Sequence, residues 1–545
     1  MNQTDQSLKQ LLTAWRKVVQ GTNLPQPPDY NGSDVLINRL TEKTNEVTPG
    51  SCFVARVRET SDGHPYIGKA IDLGASMILG ERTEESLDLK IPEEVAYVQV
   101  PDTALALAWL AAAWYGFPSR ALVMIGITGT DGKTSTGNIL FSILRANQLR
   151  VGLLSTIKAV IGGQEEPLAL HVTTPEAQEV QRYLRRMVDA GLTHCIVEST
   201  SHGLAQHRVG AIDFDVAVVT NITHEHLDYH GNFDRYFAAK ASLFENLTME
   251  DWHLESENMY KQGTVKTAVL NRDDSSYNQL STVTTATRLT YGLGENVDVQ
   301  AAEIVYSPKE TRFLLRFNAQ AGPPSGGSVA VSSILAGEFN VYNMLAASAT
   351  ALALGVMAEG IQEGLRSVAE ISGRMERIHR GQPFQVIVDF AHTPNALGKA
   401  IQAVKQISDG RIITVFGSAG KRDIEKRRLM AGVSARMADL TVLTAEDPRD
   451  EALDDILEMM ADGCREHGAK EGSTFWRVPD RGRAIYFALT LAQTSDVVLI
   501  CGKGHEQSMC FGTTEYAWDD REATVAALDA VMQGGPMPDL GLPTY

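Results

Sequence analysis

Cysteine is scarce. There are five in 545 residues (Cys52, Cys195, Cys464, Cys501 and Cys510), with no C-x-x-C pair and no metal-ligand spacing. That excludes a disulfide-stapled scaffold and a cysteine-held zinc module, and leaves reduced thiols that serve mainly in packing. Long apolar runs are missing too. The most apolar stretch, Ala104 to Tyr115, stops at Gly116 and Pro118. About a dozen residues cannot span a bilayer, so it reads as a buried helix. The first residues, Met1-Asn-Gln-Thr-Asp, are polar and carry no basic segment followed by an apolar one. The expectation is a cytoplasmic chain without membrane insertion. Positive charge is also short: 49 Lys and Arg against 67 Asp and Glu, a net −18 with no Lys/Arg run. That argues against a nucleic-acid partner, although local Lys and Arg leave small anionic ligands open.

What is present is an ordinary globular composition, 43% hydrophobic and 21% charged. At ~150 residues per domain the length predicts three or four domains. No short repeat or low-complexity tract is evident. Residues 1–120 mix short strand-like runs (Ser51–Ala55, Ala75–Leu79, Tyr97–Val100) with helices. Residues 121–371 carry apolar runs of parallel-strand length at Ala121–Ile127, Val151–Ser155, His194–Val197, Val216–Val219 and Val265–Leu270. Residues 372–545 repeat the alternation at Gln385–Val388, Arg411–Phe416, Thr441–Thr444 and Val497–Ile500. The pattern predicts an α/β protein of three domains: a small N-terminal α/β domain, a central doubly wound domain and a C-terminal Rossmann-like domain. Ala321-Gly-Pro-Pro-Ser-Gly-Gly327 lies between strand-like runs and reads as a loop, not a linker. Such an arrangement suggests a ligand held between domains.

The most informative stretch is Gly126-Ile-Thr-Gly129-Thr130-Asp131-Gly132-Lys133-Thr134-Ser135-Thr136. It follows an apolar strand and opens a segment with helical spacing of apolar positions. Strand, glycine-rich turn, then helix beginning Gly-Lys-Thr is the layout of a nucleoside-triphosphate loop. Its first glycine stands one residue further out than usual. Glycines let backbone N–H groups converge on phosphate oxygens, Lys133 adds charge, and the Thr134 hydroxyl can reach Mg²⁺.

Glu198 ends the run His194–Glu198, where a carboxylate can hold Mg²⁺; the competing reading is a capping or solvated glutamate. Thr220-Asn-Ile-Thr-His-Glu-His226-Leu-Asp-Tyr-His-Gly231 gathers three histidines and two acids after the next strand. Zinc is one reading, but without Cys or H-E-x-x-H spacing a second Mg²⁺ position fits better. Lys240 falls in the following helix, where an unassigned lysine is usually solvated. In the last third, four clusters follow apolar runs: Asp389–Pro394, Gly417–Asp423, Glu446–Arg449 and Gly502–Glu506. All four should converge on one edge of a parallel sheet and form a cleft.

Together these motifs resemble the Mur ligases, the ATP-dependent peptide-forming family of peptidoglycan precursor synthesis, over nearly the whole chain. The matching pieces are Thr128–Thr134, Thr173-Thr174-Pro175, Glu198–His202, Asn221 with His226–Gly231, Gly337–Asn340 with Asn343, Gly373–Glu376 and Asp389–Pro394. Tyr229-His-Gly231, Gly373–Glu376, Glu446–Arg449 and Gly502–Glu506 are most similar to the branch that adds the third peptide residue.

The resemblance implies that a monomer joins a diamino acid to UDP-MurNAc-L-Ala-D-Glu through an acyl phosphate, using ATP and Mg²⁺. Gly129, Thr130, Asp131, Gly132, Lys133, Thr134, Ser135, Asn271 and Asp274 would bind ATP, with Arg374 bridging from the third domain. Lys133, Glu198, His226 and Lys240 would be catalytic. The metal would fall to Thr134, Glu198, His226 and a carbamylated Lys240. Thr44, Thr173, Thr174, Ser201 and Arg208 would bind the UDP-MurNAc-dipeptide, and Asp447, Arg449, Gly502 and Glu506 the incoming amino acid.

Two motifs depart from the family pattern. Its usual Asp-Ser-Arg aligns with Lys43-Thr44-Asn45, and its Asp-Asn-Pro-Arg with Glu446-Asp447-Pro448-Arg449. Arg449 favours the distal carboxylate of meso-diaminopimelate, and Glu506 could meet an ammonium at the same end. Asp447 and Glu446 favour L-lysine or L-ornithine and would partly neutralise Arg449. A third reading has Arg449 clamping its own acidic loop. The balance falls to meso-diaminopimelate, because a buried Arg without a carboxylate is costly. The rivals are a folylpolyglutamate synthase, which residues 1–120 and Gly502–Glu506 count against, and a catalytically silent binding subunit.

Overall fold

Alternation of strands and helices decides the architecture. The computed structural model describes residues 5–58, 61–167, 174–223, 227–248, 256–321, 326–368, 370–421 and 424–544. The chain divides into two compact units, Met1–Gly137, Gln148–Thr290 and Ala353–Gly355 in one, and Asn138–Asn147, Tyr291–Leu352 and Val356–Tyr545 in the other.

The first unit begins with an amphipathic helix, Leu8–Val19, whose N-cap Ser7 accepts from the Gln10 amide. Its Trp15 stacks on Trp109 with ring centroids 5.8 Å apart. Trp109 belongs to Thr103–Trp114, the expected apolar helix, capped by Asp102 and buried almost all round. These helices cover a four-stranded parallel sheet, Arg39–Thr41, Ser51–Val54, Met77–Gly80 and Ala96–Gln99. Among the described residues no helix is long and apolar enough to cross a membrane.

All five expected strands of the next part form. Their parallel order is Val151–Leu154, His194–Glu198, Val123–Thr128, Val216–Val219, Thr267–Asn271. They are apolar along their whole length because helices cover both faces, and each buried Val, Ile or Leu contributes roughly 1.5–3 kcal/mol. The first strand lies in the middle, so the chain winds one way and then reverses beside it. That switch point opens a crevice at the carboxyl ends of Val123–Thr128 and its neighbours. A hairpin, Lys158–Ile161 with Gln164–Pro167, adds an antiparallel edge.

In the second unit, Val299–Tyr306, Thr311–Phe317 and Gly327–Ser333 form an antiparallel meander. The Gly/Pro-rich stretch connects its last two strands as expected, with residues 322–325 outside the described residues. The last sheet orders Gln385–Asp389, Val497–Cys501, Ile412–Phe416, Leu440–Leu443 and Phe475–Arg477 in parallel. Phe475–Arg477 escapes sequence pattern because three residues are too short to show a period. All four clusters expected at strand ends, Gly417–Asp423 as far as Lys421, follow the carboxyl ends of strands in this sheet, and Arg422 and Asp423 lie outside the described residues.

At the amino ends of the central strands, Lys261 meets Asp215 at 2.6 Å and Asp213 at 3.0 Å, all three side chains fully buried. Asp215 also accepts from the Met124 amide, tying two strands together. Removing one partner of such a group strands the others' charge. Lys261→Met is expected to lower stability by roughly 3–5 kcal/mol. The triple variant Lys261→Met/Asp213→Asn/Asp215→Asn should lose less. Urea-unfolding midpoints check both, and equal losses would refute the network.

Candidate functional site

In the first unit the glycine-rich turn leaves the strand end at Gly129, with φ 147°. A Cβ there would stand 1.9 Å from Thr220 Oγ1, so the close approach demands glycine. The neighbouring strand end holds the turn in place. Thr130 N donates to Asn221 O at 2.7 Å, Asp131 N to Asn221 Oδ1 at 3.1 Å, and Thr220 Oγ1 to Asp131 O at 2.5 Å. Asn271 Nδ2 donates to Thr220 O, and Asp274 Oδ1 accepts from Ile222 N. These two expected nucleotide contacts therefore buttress the segment that buttresses the turn.

Two ammonium groups converge on one carbonyl. Lys133 Nζ donates to Gly129 O at 3.0 Å and to Thr130 O at 2.8 Å. Lys240 Nζ donates to Gly129 O at 2.7 Å and sits 4.6 Å over the Tyr236 ring. Lys240 is 2% exposed, so the solvated reading of this lysine fails.

Glu198 is buried, and its Oε2 accepts from Thr156 N at 2.5 Å and Thr156 Oγ1 at 2.6 Å. Its other oxygen, Oε1, has no hydrogen-bond partner among the described residues, and neither do the buried hydroxyls of Thr128 and Ser199 on the same strand ends. Thr134 Oγ1 lies 3.4 Å from Thr156 Oγ1. Hard oxygens with spare lone pairs in a buried corner fit Mg²⁺. Thr156 went unnoticed in the sequence; the only signal was its position just after a strand ending at the same edge. His226 and Thr173 lie outside the described residues.

Thr174 Oγ1 donates to Glu198 O at 3.0 Å, and its carbonyl accepts from Arg208 Nη1 at 2.6 Å. Arg208 also meets Glu176 at 2.9 Å. Ser201 opens a short helix capped by Thr200. The structure thus joins Thr174, Ser201 and Arg208 to the Glu198 strand end. Thr44 sits apart in the single turn Thr44–Glu46. A cleft of about 950 Å³ opens nearby, lined by Leu24, Leu105, His207, Tyr229 and Arg235 among others.

The second unit builds a separate constellation. The turn Gly373–Glu376 presses on the Gly502–Glu506 loop so closely that a Cβ on Gly373 would come 2.3 Å from His505 N. Arg374 lies 4.5 Å over the Phe390 ring. Asp389 accepts from the amides of Met375 and Ala391, both at 2.8 Å. Burial, with Arg374, Arg521 and Lys503 nearby, pushes His505 well below the ordinary imidazole range, so the ring is neutral.

Asp447 and Arg449 both adopt left-handed backbone, φ 43° and 55°. Their loop is pinned to the hairpin Ser508–Phe511 and Thr514–Ala517 through Arg449 N to Cys510 O and Gly512 N to Arg449 O. Sequence reasoning set Asp447 against Arg449, and the structure corrects this. Both Asp447 oxygens accept from Lys503 Nζ at 3.0 Å, and Oδ1 also accepts from Cys510 N. Lys503 meets Glu506 Oε2 at 2.5 Å as well. The Arg449 guanidinium makes no hydrogen bond or ion pair among the described residues, and its Nε is buried. It does not clamp its own loop.

Arg481 and Asp520 were also missed. They form a fully buried pair with two contacts of 2.7 Å. Arg481 further donates to Ala445 O and Cys501 O, the residues just before the two loops. Asp519-Asp520-Arg521 reads in sequence only as a helix start.

With this geometry in view, the comparisons are informative. A Mur ligase middle domain model matches residues 127–351, and a Mur ligase glutamate ligase domain model matches residues 373–504. The UDP-N-acetylmuramyl-tripeptide synthetase of Roseiflexus sp. (strain RS-1) is 40% identical over 493 residues, covering 90% of this chain and 94% of its own. The UDP-N-acetylmuramoyl-L-alanyl-D-glutamate–2,6-diaminopimelate ligase of Geobacillus thermodenitrificans (strain NG80-2) is 40% identical over 499 residues, 92% and 96% of the two chains. A solved structure described as a UDP-N-acetylmuramoyl-L-alanyl-D-glutamate–2,6-diaminopimelate ligase superposes with TM-score 0.60 at 27% identity, covering 91% and 96%.

Glu446 supplies a pH test. Burial, reinforced by Asp447 and opposed by Lys426, Arg481 and Lys503, raises its carboxyl above the ordinary 4.5. A raised carboxyl pKa favours folding below the unfolded value and costs stability as pH climbs through the folded value. The Tm advantage of Glu446→Gln over wild type should therefore grow between pH 4.5 and 8. Parallel Tm–pH curves would show that Glu446 titrates normally.

Proposed function

This chain belongs to the Mur ligase family, and from that premise we propose that it attaches a diamino acid, meso-diaminopimelate, to UDP-MurNAc-L-Ala-D-Glu. It is an ATP-dependent, amide-forming ligase of peptidoglycan precursor synthesis. The observation that carries the substrate assignment is the Arg449 guanidinium, partly buried and without a hydrogen-bond or ion-pair partner among the described residues, on the loop whose Asp447 is already bound to Lys503. A charge left unmatched in such a place is costly unless a ligand carboxylate meets it. The Geobacillus relative and the solved structure act on the same sugar-peptide and amino acid by their descriptions. They extend over nine-tenths of the chain and so over most of residues 1–120, which does not favour the folylpolyglutamate reading.

The chemistry follows from what each group can do. Backbone amides of Gly129–Thr134 with the Lys133 ammonium hold the ATP phosphates, along with Ser135, Asn271, Asp274 and Arg374. A γ-carboxylate oxygen of D-Glu attacks the terminal phosphorus and ADP departs, giving an acyl phosphate. The amine of the diamino acid then attacks the acyl carbon, phosphate leaves with the bonding pair, and the nitrogen loses a proton. Thr44, Thr173, Thr174, Ser201 and Arg208 fix the sugar-peptide so that its carboxylate meets the phosphate in line. Asp447, Arg449, Gly502 and Glu506 fix the amine. Residues 1–120, 121–371 and 372–545 divide these tasks among sugar-nucleotide, ATP and amino acid.

Mg²⁺, when bound, supplies charge that offsets the build-up on the transferring phosphoryl group. Thr134, Glu198 through its unmatched Oε1, His226 and Lys240 would hold it. Lys240 joins that set as a carbamate: its neutral amine adds carbon dioxide and releases one proton, turning a cation into an anionic oxygen ligand.

Purified protein should release phosphate only when ATP, Mg²⁺, UDP-MurNAc-L-Ala-D-Glu and a diamino acid are all present; no release with meso-diaminopimelate, L-lysine or L-ornithine would sink the reading. Arg449→Ala should cut kcat/KM for meso-diaminopimelate roughly 10- to 100-fold, the worth of a charged hydrogen-bond pair, and hardly touch lysine. Lys240→Ala should lose most turnover and regain part of it with added acetate. Wild-type-like turnover in that variant would leave Lys240 a mere buried cation.

A further inference from the structure

Lys503 is a buried cation of the second-unit site that no assignment above uses. Its side chain is 2% exposed, its ammonium donates to both oxygens of Asp447 at 3.0 Å, and it meets Glu506 at 2.5 Å. Burial alone would push its pKa down, yet Glu506 and Asp447 together hold it above the ordinary lysine range, so the cation persists. We propose that Lys503 sets which diamino acid is accepted, by balancing the Asp447 and Glu506 carboxylates so that the open Arg449 guanidinium faces a site of zero net charge; this rests on the ligase reading above.

The charge count makes the case. On the two loops, Arg449 and Lys503 stand against Asp447 and Glu506, while burial pushes the third acid, Glu446, towards its neutral form. A site with equal numbers of each complements a zwitterionic end, an ammonium and a carboxylate on one carbon, which is the distal end of meso-diaminopimelate. The carboxylate takes the fork geometry of Arg449, and the ammonium takes lone pairs of the acids that Lys503 leaves unused. Without Lys503 two anions would face one cation, and the plain ammonium of L-lysine or L-ornithine would be the better match. The acids of Glu446-Asp447-Pro448-Arg449 therefore do not select a basic amino acid, because Lys503 cancels one of them. Asp447 is held in register for this by its left-handed backbone and by the Cys510 amide. Lys503 touches these acids, not the amino acid's reacting atoms, so it is a positioning residue.

The test is the ratio of kcat/KM for meso-diaminopimelate to that for L-lysine. Lys503→Met should lower the ratio at least tenfold, with KM for ATP unchanged. Asp447→Asn, which leaves a surplus cation, should raise the ratio, and this arm stands even where Lys503→Met fails to fold. Lys503→Met/Asp447→Asn should return the ratio to near the wild-type value. An active wild type whose variants lose turnover equally with both amino acids, at constant ratio, overturns the Lys503 assignment alone. A wild type inactive with every diamino acid overturns the ligase reading instead.

Discussion

The second unit's site depends on one buried ion pair. Arg481 and Asp520 are fully buried, and their bonds reach beyond each other to the backbone of both functional loops. Arg481 takes the carbonyls of Ala445 and Cys501, one residue before Glu446 and Gly502. Asp520 takes the Gly504 amide and the Trp518 indole N–H. A buried pair of this kind is weak evidence for stability, since desolvation offsets most of the attraction. Its value here is geometric. With each guanidinium and carboxylate direction committed, the two strand ends have one mutual arrangement in which every bond is made. Lys503, Asp447 and Glu506 inherit their spacing from it.

The first unit reaches the same end by neutral bonds. Thr220 and Asn221 grip the glycine-rich turn from the adjacent strand, and Asn271 and Asp274 grip Thr220 and Ile222 in turn. Each layer is fixed by side-chain hydrogen bonds to backbone groups, whose positions the strands set. Gly129 is the position where this crowding leaves no room, and its carbonyl receives both Lys133 and Lys240. The Lys133 ammonium at that carbonyl places positive charge where phosphate oxygens would arrive.

Much of this was legible in the sequence, because strand ends in a parallel sheet announce themselves. An apolar run followed by Gly, Asp or His at 126–136, 194–202, 216–231, 385–394, 411–423 and 497–506 could only place those polar residues at one edge of each sheet. Partnerships were not legible. Nothing in the spacing of Asp447 and Lys503 says that 56 positions close to a 3.0 Å bond, so Asp447 was set against Arg449, its neighbour in sequence. Thr156 follows a strand with no motif of its own, and only the sheet order brings it against Glu198. Arg481 and Asp520 lie in helix-start patterns that any surface helix can carry, and only burial separates them from those.

The placement of unmatched charge is the strongest link between fold and function. Buried polar groups are nearly always paired, and a bare carboxylate or guanidinium costs more than a bare amide. At the amino ends of the central strands the charges are answered by ion pairs, Asp213 and Asp215 with Lys261 and Lys266. At the carboxyl ends the rule breaks. Glu198 Oε1 has no hydrogen-bond partner among the described residues, and in the other unit the same is true of Glu446 Oε2, Arg449 Nε and His505 Nδ1. A chain able to neutralise two buried acids at one end of a sheet, and to saturate Arg481 in another, does not lack means to satisfy these four. These four sit where the sequence motifs and the glycine close approaches also fall. That is the chemistry the proposed diamino-acid and Mg²⁺ sites call for, positive charge for a carboxylate at Arg449 and negative charge for a cation at Glu198.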